Sequence, residues 1–200
     1  TTLEITLDHL KAGDEVYFLA CKSNLLTCQI NPSHNLNLCS SCNLKLINGL
    51  KKINFPMENI IYMDLENYRK DIEIPYFKDI YEFKDFEIDG IDFGQAAYSS
   101  LVSLIREPFP DIEEYRDLLN KMIIDEIAIY KYSNELLSND KYDLIYLFNG
   151  RYSTQRPIVR VAQKLNINFF AHERGWNLDT YSLAENSYMH DLKFLEKEFE

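Results

Sequence analysis

The sequence predicts an α/β domain of the Rossmann-like kind, with three layers around a central parallel sheet. Three observations carry that expectation. Helical spacing alternates along the chain with short runs of β-forming residues. A strand, a helix and a second strand follow one another closely between positions 142 and 171, a pattern that implies parallel pairing with a right-handed crossover. Polar and charged residues then collect directly after those strands, at the sheet edge where α/β folds bind ligands.

The elements follow in order. Leu3, Leu7 and Leu10 share one helical face and Gly13 stands where a C-cap would, so residues 2–11 are expected to be helical. Residues 15–20, Glu-Val-Tyr-Phe-Leu-Ala, suit a buried strand. Residues 22–41 contain Asn31-Pro32-Ser33-His34-Asn35 and show no period, which predicts a long excursion, a feature that ordinarily has a function or a staple. A helix over 44–53 and a strand over 59–63 come next, whereas the aromatic-rich residues 66–90 stay largely unassigned. Phe93 to Arg106 reads as a helix closed by Pro108 and Pro110, and Asp111 is placed to cap a long helix reaching Leu137. Tyr142–Phe148 reads as a buried strand, 154–165 as a helix that tolerates Pro157 in its first turn, and 167–171 as the next strand. A final helix is expected around His190.

The chain of 200 residues carries a net charge of -11, with 46% hydrophobic and 26% charged residues. That is ordinary globular composition, and one domain spanning 1–200 is expected, with a Cys-rich insertion over 21–42. Lys and Arg are scattered along an acidic chain, which disfavours a phosphate-tracking surface, so no nucleic-acid partner is expected. The longest apolar runs, such as Met122–Ile124 and Leu144–Phe148, fall far short of a bilayer span, and no transmembrane segment is expected. The opening Thr1-Thr2-Leu3-Glu4 has neither a basic n-region nor an apolar h-region, which points to a cytoplasmic protein. With no initiator Met, the chain is expected to be a piece of something longer.

Cys21, Cys28, Cys39 and Cys42 all fall within the excursion, the last two as C-x2-C. Two thiolates at that spacing can reach one metal ion, so the four form a candidate zinc site, with His34 as a substitute ligand and an iron–sulfur cluster as the alternative. Reduced thiols packed as small hydrophobes, or two disulfides, are the competing readings.

Asn149-Gly150-Arg151 follows one strand and His172-Glu173-Arg174-Gly175-Trp176 the next. The two loops bring ligand-binding candidates Asn149, Gly150, Arg151, Arg174 and Trp176 together with acid–base candidates His172 and Glu173. Arginine offers a fork for phosphate or carboxylate, and Trp a flat face for a sugar or base. The alternative is a structural Arg151–Glu173 ion pair with Trp176 in the core. His9 and His190 read as surface or structural residues. Tyr98-Ser99-Ser100 lies inside a helical pattern, so it is no nucleophile elbow. Gly90-Ile91-Asp92-Phe93-Gly94 lacks a third glycine, which disfavours classical dinucleotide binding.

Taken together, the segments Gly13 to Phe18, the Cys excursion, Gly94 to Ser100, Phe148 to Arg151 and His172 to Gly175 resemble the N-terminal half of bacterial surface (capsular) polysaccharide biosynthesis proteins, which are similar to two-domain GT-B glycosyltransferases. The resemblance implies an acceptor-side domain whose partner domain, binding a nucleotide-sugar donor, lies beyond this chain. It implies transfer of the sugar to a growing glycan, in the cytoplasm or at the inner face of the membrane. Asn149, Arg151, His172, Glu173 and Arg174 would face the interdomain cleft, with Glu173 or His172 as general base on the acceptor hydroxyl. A zinc-stabilised binding module and an iron–sulfur or redox protein are the competing functional classes.

Overall fold

The computed structural model describes residues 2–175, 177, 180–188, 190, 191 and 196. They form a mixed α/β structure of six α-helices and two small sheets: α1 (Thr2–Ala12), β1 (Phe18–Ala20), α2 (Leu36–Lys52), β2 (Ile60–Tyr62), α3 (Ile80–Lys84), α4 (Phe93–Ile105), α5 (Ile112–Asn139), β3 (Leu144–Phe148), α6 (Arg156–Leu165), β4 (Asn168–Arg174) and β5 (Tyr181–Glu185). β1 and β2 pair in parallel, Phe18 opposite Ile60. β3 and β4 also pair in parallel, Leu144 opposite Asn168, and β5 adds to β4 antiparallel.

Alternation along β1 separates two cores. Phe18 and Ala20 turn toward Leu3 and Leu10 of α1 and Leu46, Ile47 and Leu50 of α2. Leu19 and Cys21 turn the other way, toward Ala128 and Ile129 of α5 and Ile158 of α6. The β1–β2 pair is therefore covered by helices on both faces, as a period of two in a strand buried on both sides requires. On β3 and β4, Ile145, Leu147, Phe169 and Ala171 face Val159 and Ala162 of α6. The opposite face carries Tyr146 stacked on Phe170 with ring centroids 5.4 Å apart. A fourth core, from Phe77, Ile80, Phe83, Phe93, Leu101 and the first half of α5, sits among the helices alone.

Three differences from the sequence expectations have physical causes. The strands form two separately bonded sheets where the sequence predicts one central parallel sheet, and β1 and β2 are only three residues long, which leaves a short ladder with few backbone groups to pair. α2 starts at Leu36, inside the expected excursion, since the Asn35 side chain accepts hydrogen bonds from the amides of Asn37 (2.9 Å) and Leu38 (3.4 Å) and so nucleates the helix early. β4 runs on through His172, Glu173 and Arg174, because the unforeseen β5 supplies a partner for each of them. The helix expected around His190 falls largely on residues outside those described; His190 itself lies in a turn.

Candidate functional site

The edge after β3 is built by backbone geometry. Asn149 is buried, adopts a left-handed φ of 61°, and continues the ladder by donating its amide to the His172 carbonyl at 2.9 Å. Asn tolerates that conformation better than most residues because its short amide can bond locally. Here its Oδ1 accepts from the Arg151 amide at 3.3 Å, while its Nδ2 donates to Glu173. Gly150 follows at φ 86°. A Cβ there would lie 2.9 Å from Tyr188 Cβ and 3.3 Å from Leu147 Cδ1, so both conformation and space call for glycine.

Arg151 turns toward Tyr152, donating from Nη2 to its hydroxyl at 3.0 Å and lying 4.7 Å from the ring centroid. Its Nε is buried with no hydrogen-bond partner among the described residues. The structural Arg151–Glu173 ion pair weighed from the sequence is therefore not formed; Asn149 occupies the carboxylate instead. His190 is exposed and within electrostatic reach of both Arg151 and Glu173. Desolvation and then the Arg151 charge lower its pKa, with Glu173 working against them.

His172 and Glu173 are neighbours on one strand and so point to opposite faces. Glu173 lies on the α6 side with Asn149. His172 lies on the α1 side, 5.7 Å from the Phe148 ring, with Nε2 3.1 Å from the Thr2 hydroxyl and Nδ1 buried without a partner among the described residues. Burial lowers its pKa and favours the neutral imidazole. The two acid–base candidates thus form no dyad, since strand pleating separates them. Arg174 is exposed opposite Tyr181, and Trp176 lies outside the described residues. The aromatic partners Tyr152 and Tyr188 and the Thr2 hydroxyl carried no signal in the sequence, since each acts through the tertiary fold.

In the excursion all four cysteines are free thiols, with Cys39 and Cys42 on α2 and Cys21 and Cys28 half-buried. Burial raises the Cys21 and Cys28 pKa values; Cys39 and Cys42 act on Cys21, and Cys21 and Cys39 on Cys28, in the same direction. The thiols share one neighbourhood, and Cys39 Sγ accepts from Asn31 Nδ2 at 3.2 Å. Among the described residues no group of three or more His, Cys, Asp or Glu is placed to hold a metal ion.

Two further polar clusters escaped the sequence reading. Asp92, at the start of α4, is held by Arg156 and Arg160 of α6, the latter through two bonds of 2.7 Å. Burial works to raise its pKa, but the two arginines outweigh it and hold the carboxyl low. Nearby on α5, Glu126 is fully buried and neither carboxyl oxygen has a partner among the described residues. Burial pushes its pKa far up and keeps it neutral.

Fold and site together define a mixed α/β protein that presents Asn149, Arg151 and Glu173 at the carboxyl edge of a parallel strand pair. Comparison with known proteins gives no match among family models, curated proteins or solved structures. No helix among the described residues is long and apolar enough to cross a membrane.

Proposed function

We propose that this chain is the acceptor-side domain of a GT-B-like glycosyltransferase of surface polysaccharide synthesis, using a nucleotide-sugar donor held by a second domain. The observation that carries the reading is the convergence of Asn149, Arg151 and Glu173 at the ends of two adjacent parallel strands. Glu173 on the α6 face is the better general base, being only half-buried and oriented by the Asn149 amide. His172, enclosed by Phe148 and Thr2, is given a positioning role. Arg151, whose Nε has no partner among the described residues, is assigned to an anionic sugar or phosphate group.

The finer fold, one Rossmann-like central sheet in the order β2-β1-β3-β4-β5, belongs to the same proposal. Its support is the contact of Tyr17, just before β1, with Tyr142, just before β3, at 5.8 Å. The packing of Ile158 of α6 against the core over β1 supports it as well.

The test is titration of the protein with nucleotide sugars and acidic glycans, comparing wild type with Arg151→Ala. The variant should lose binding by about tenfold or more while its Tm moves by no more than about 2–4 °C. Wild-type affinity in the variant, or collapse of its fold, would sink the assignment.

A further inference from the structure

The 37 residues from Cys21 to Met57 contain no Asp or Glu, although the chain has 32 acidic residues in 200. The same stretch carries Lys22, Lys45, Lys51 and Lys52, so it is a local reversal of charge on a strongly acidic protein. It also supplies most of the wall of a cleft of about 460 Å³, which lies where the chain leaves β1 and β2. Ser23, Asn24 and His34 come from the acid-free stretch, while Glu66, Arg69 and Lys121 close the other sides over a floor of Leu25 and Leu26. That places the cleft at the carboxyl ends of a parallel strand pair, where α/β folds bind ligands, and its volume is that of a small-molecule site.

The rim is held in costly backbone conformations. Lys22 and Ser23 take consecutive left-handed φ values of 47° and 64°, and His34 takes 50°. None of the three is glycine, and such conformations persist only where the surroundings enforce them. The enforcement is visible. Arg69 donates to Asp125 through Nε (2.9 Å) and Nη2 (2.7 Å) and to Asn24 Oδ1 at 3.1 Å. Asp125 also accepts the amides of Leu26 (2.6 Å) and Thr27 (3.2 Å). Ser23 Oγ accepts from Asn43 at 2.9 Å.

Arg69 is neutralised by Asp125, so the exchangeable cation is Lys121. Among the described residues its partner is Asp117 at 2.5 Å, in a pair exposed on both sides, and such pairs contribute little and exchange readily. Among the described residues neither the His34 side chain nor the Glu66 carboxylate has a hydrogen-bond partner, and both line the cleft with the Ser23 and Asn24 polar groups. One exchangeable cation and an imidazole, in a cleft that also holds a carboxylate, a hydroxyl and an amide, suit a ligand that joins one anionic group to several hydroxyls.

We propose that this cleft binds a small sugar phosphate, the phosphate on Lys121 and His34 and the hydroxyls on Glu66, Asn24 and Ser23. The inference does not rest on the reading of the β3–β4 edge. It is tested by calorimetric titration of the whole chain with glucose 1-phosphate, glucose and inorganic phosphate. Glucose 1-phosphate should bind saturably, each component alone about tenfold or more weakly. Lys121→Gln and His34→Ala, both substitutions of side chains outside the core, should each weaken it by about tenfold; Lys121→Gln should leave Tm unchanged, and His34→Ala, at a left-handed φ, should lower it by no more than about 2–4 °C. Arg151→Ala should bind as wild type does. The proposal is overturned if glucose 1-phosphate does not saturate the protein, or if inorganic phosphate binds equally well and marks an anion site only. It is equally overturned if both cleft variants bind normally, or if Arg151→Ala is the variant that loses binding, which would move the ligand to the other edge.

Discussion

Glu126 offers a sharp perturbation, because its carboxyl is fully buried in the middle of α5 and neither oxygen is hydrogen-bonded among the described residues. Replacing it by Met keeps length and helix propensity and removes the polar group. A buried polar group without a partner costs about 1–3 kcal/mol, and that is the gain expected wherever Glu126 is neutral in the folded state. A second effect depends on pH. The folded-state pKa lies well above the ordinary value, so the folded chain holds a proton that the unfolded chain releases near pH 4.3, taken as about the ordinary glutamate value. The stability contributed by that proton is complete below the unfolded pKa and is lost as pH rises toward the folded pKa, at up to about 1.4 kcal/mol per pH unit. Arg156 works to lower the pKa and Asp92 and Asp125 to raise it, but all three remain in the variant. The difference between the two proteins therefore isolates Glu126. Thermal unfolding at pH 5, 6, 7 and 8 should show Glu126→Met the more stable throughout, with the gap in Tm widening as pH rises, by about 2–4 °C for each kcal/mol. Glu126→Gln should show the same widening from a smaller offset. A gap independent of pH would refute the proton linkage, and a Met variant less stable than wild type at pH 8 would show that the carboxylate is held by Arg156 after all.

Gly150→Ala should cost about 2 kcal/mol, from the left-handed backbone and the displacement of Tyr188, read as a Tm lower by about 4–8 °C; an unchanged Tm would remove the turn from the account. Asp125→Ala leaves Arg69 without its carboxylate and two amides without an acceptor. It should cost about 3–5 kcal/mol and speed limited proteolysis within residues 22–35 more than within α6. Equal protection of that loop in both proteins would contradict its tethering by Asp125.

Most helices were legible because their apolar spacing and terminal signals agree. Pro108 and Pro110 bracket the gap between α4 and α5, and Asp111 accepts the Glu113 amide at 3.0 Å as a cap should. α2 was read eight residues late, since only its second half packs on the core and exposed Leu36, Leu38 and Leu44 break the apolar stripe. β5 was missed because only Ala184 of its five residues is buried, which leaves no apolar pattern to read, and without it the extension of β4 could not be foreseen. At the site, the proximity of Asn149 to Glu173 followed from parallel strand ends. The separation of His172 from Glu173 follows from the pleat only once both are known to lie within a strand. Glu126 was invisible, as nothing in a helical sequence distinguishes a solvated glutamate from one enclosed by the tertiary fold.

The tether at Asp125 has a consequence for the order of assembly. It joins the amides of Leu26 and Thr27 to a side chain 99 and 98 positions further along the chain, so the segment gains its anchor only after α5 has docked. Contacts across so long a span incur their loop-closure entropy before they yield any stabilisation. The segment around Cys21 to Asn35 is therefore expected to consolidate after the folding barrier, with φ-values near zero. Asp125→Ala should accelerate unfolding and leave the refolding rate nearly untouched in stopped-flow measurements; a matching slowdown in refolding would place the tether in the nucleus instead. On that ordering, the Cys21 and Cys28 thiols stay accessible to solvent for longer than the rest of the β1–β2 layer while the chain folds.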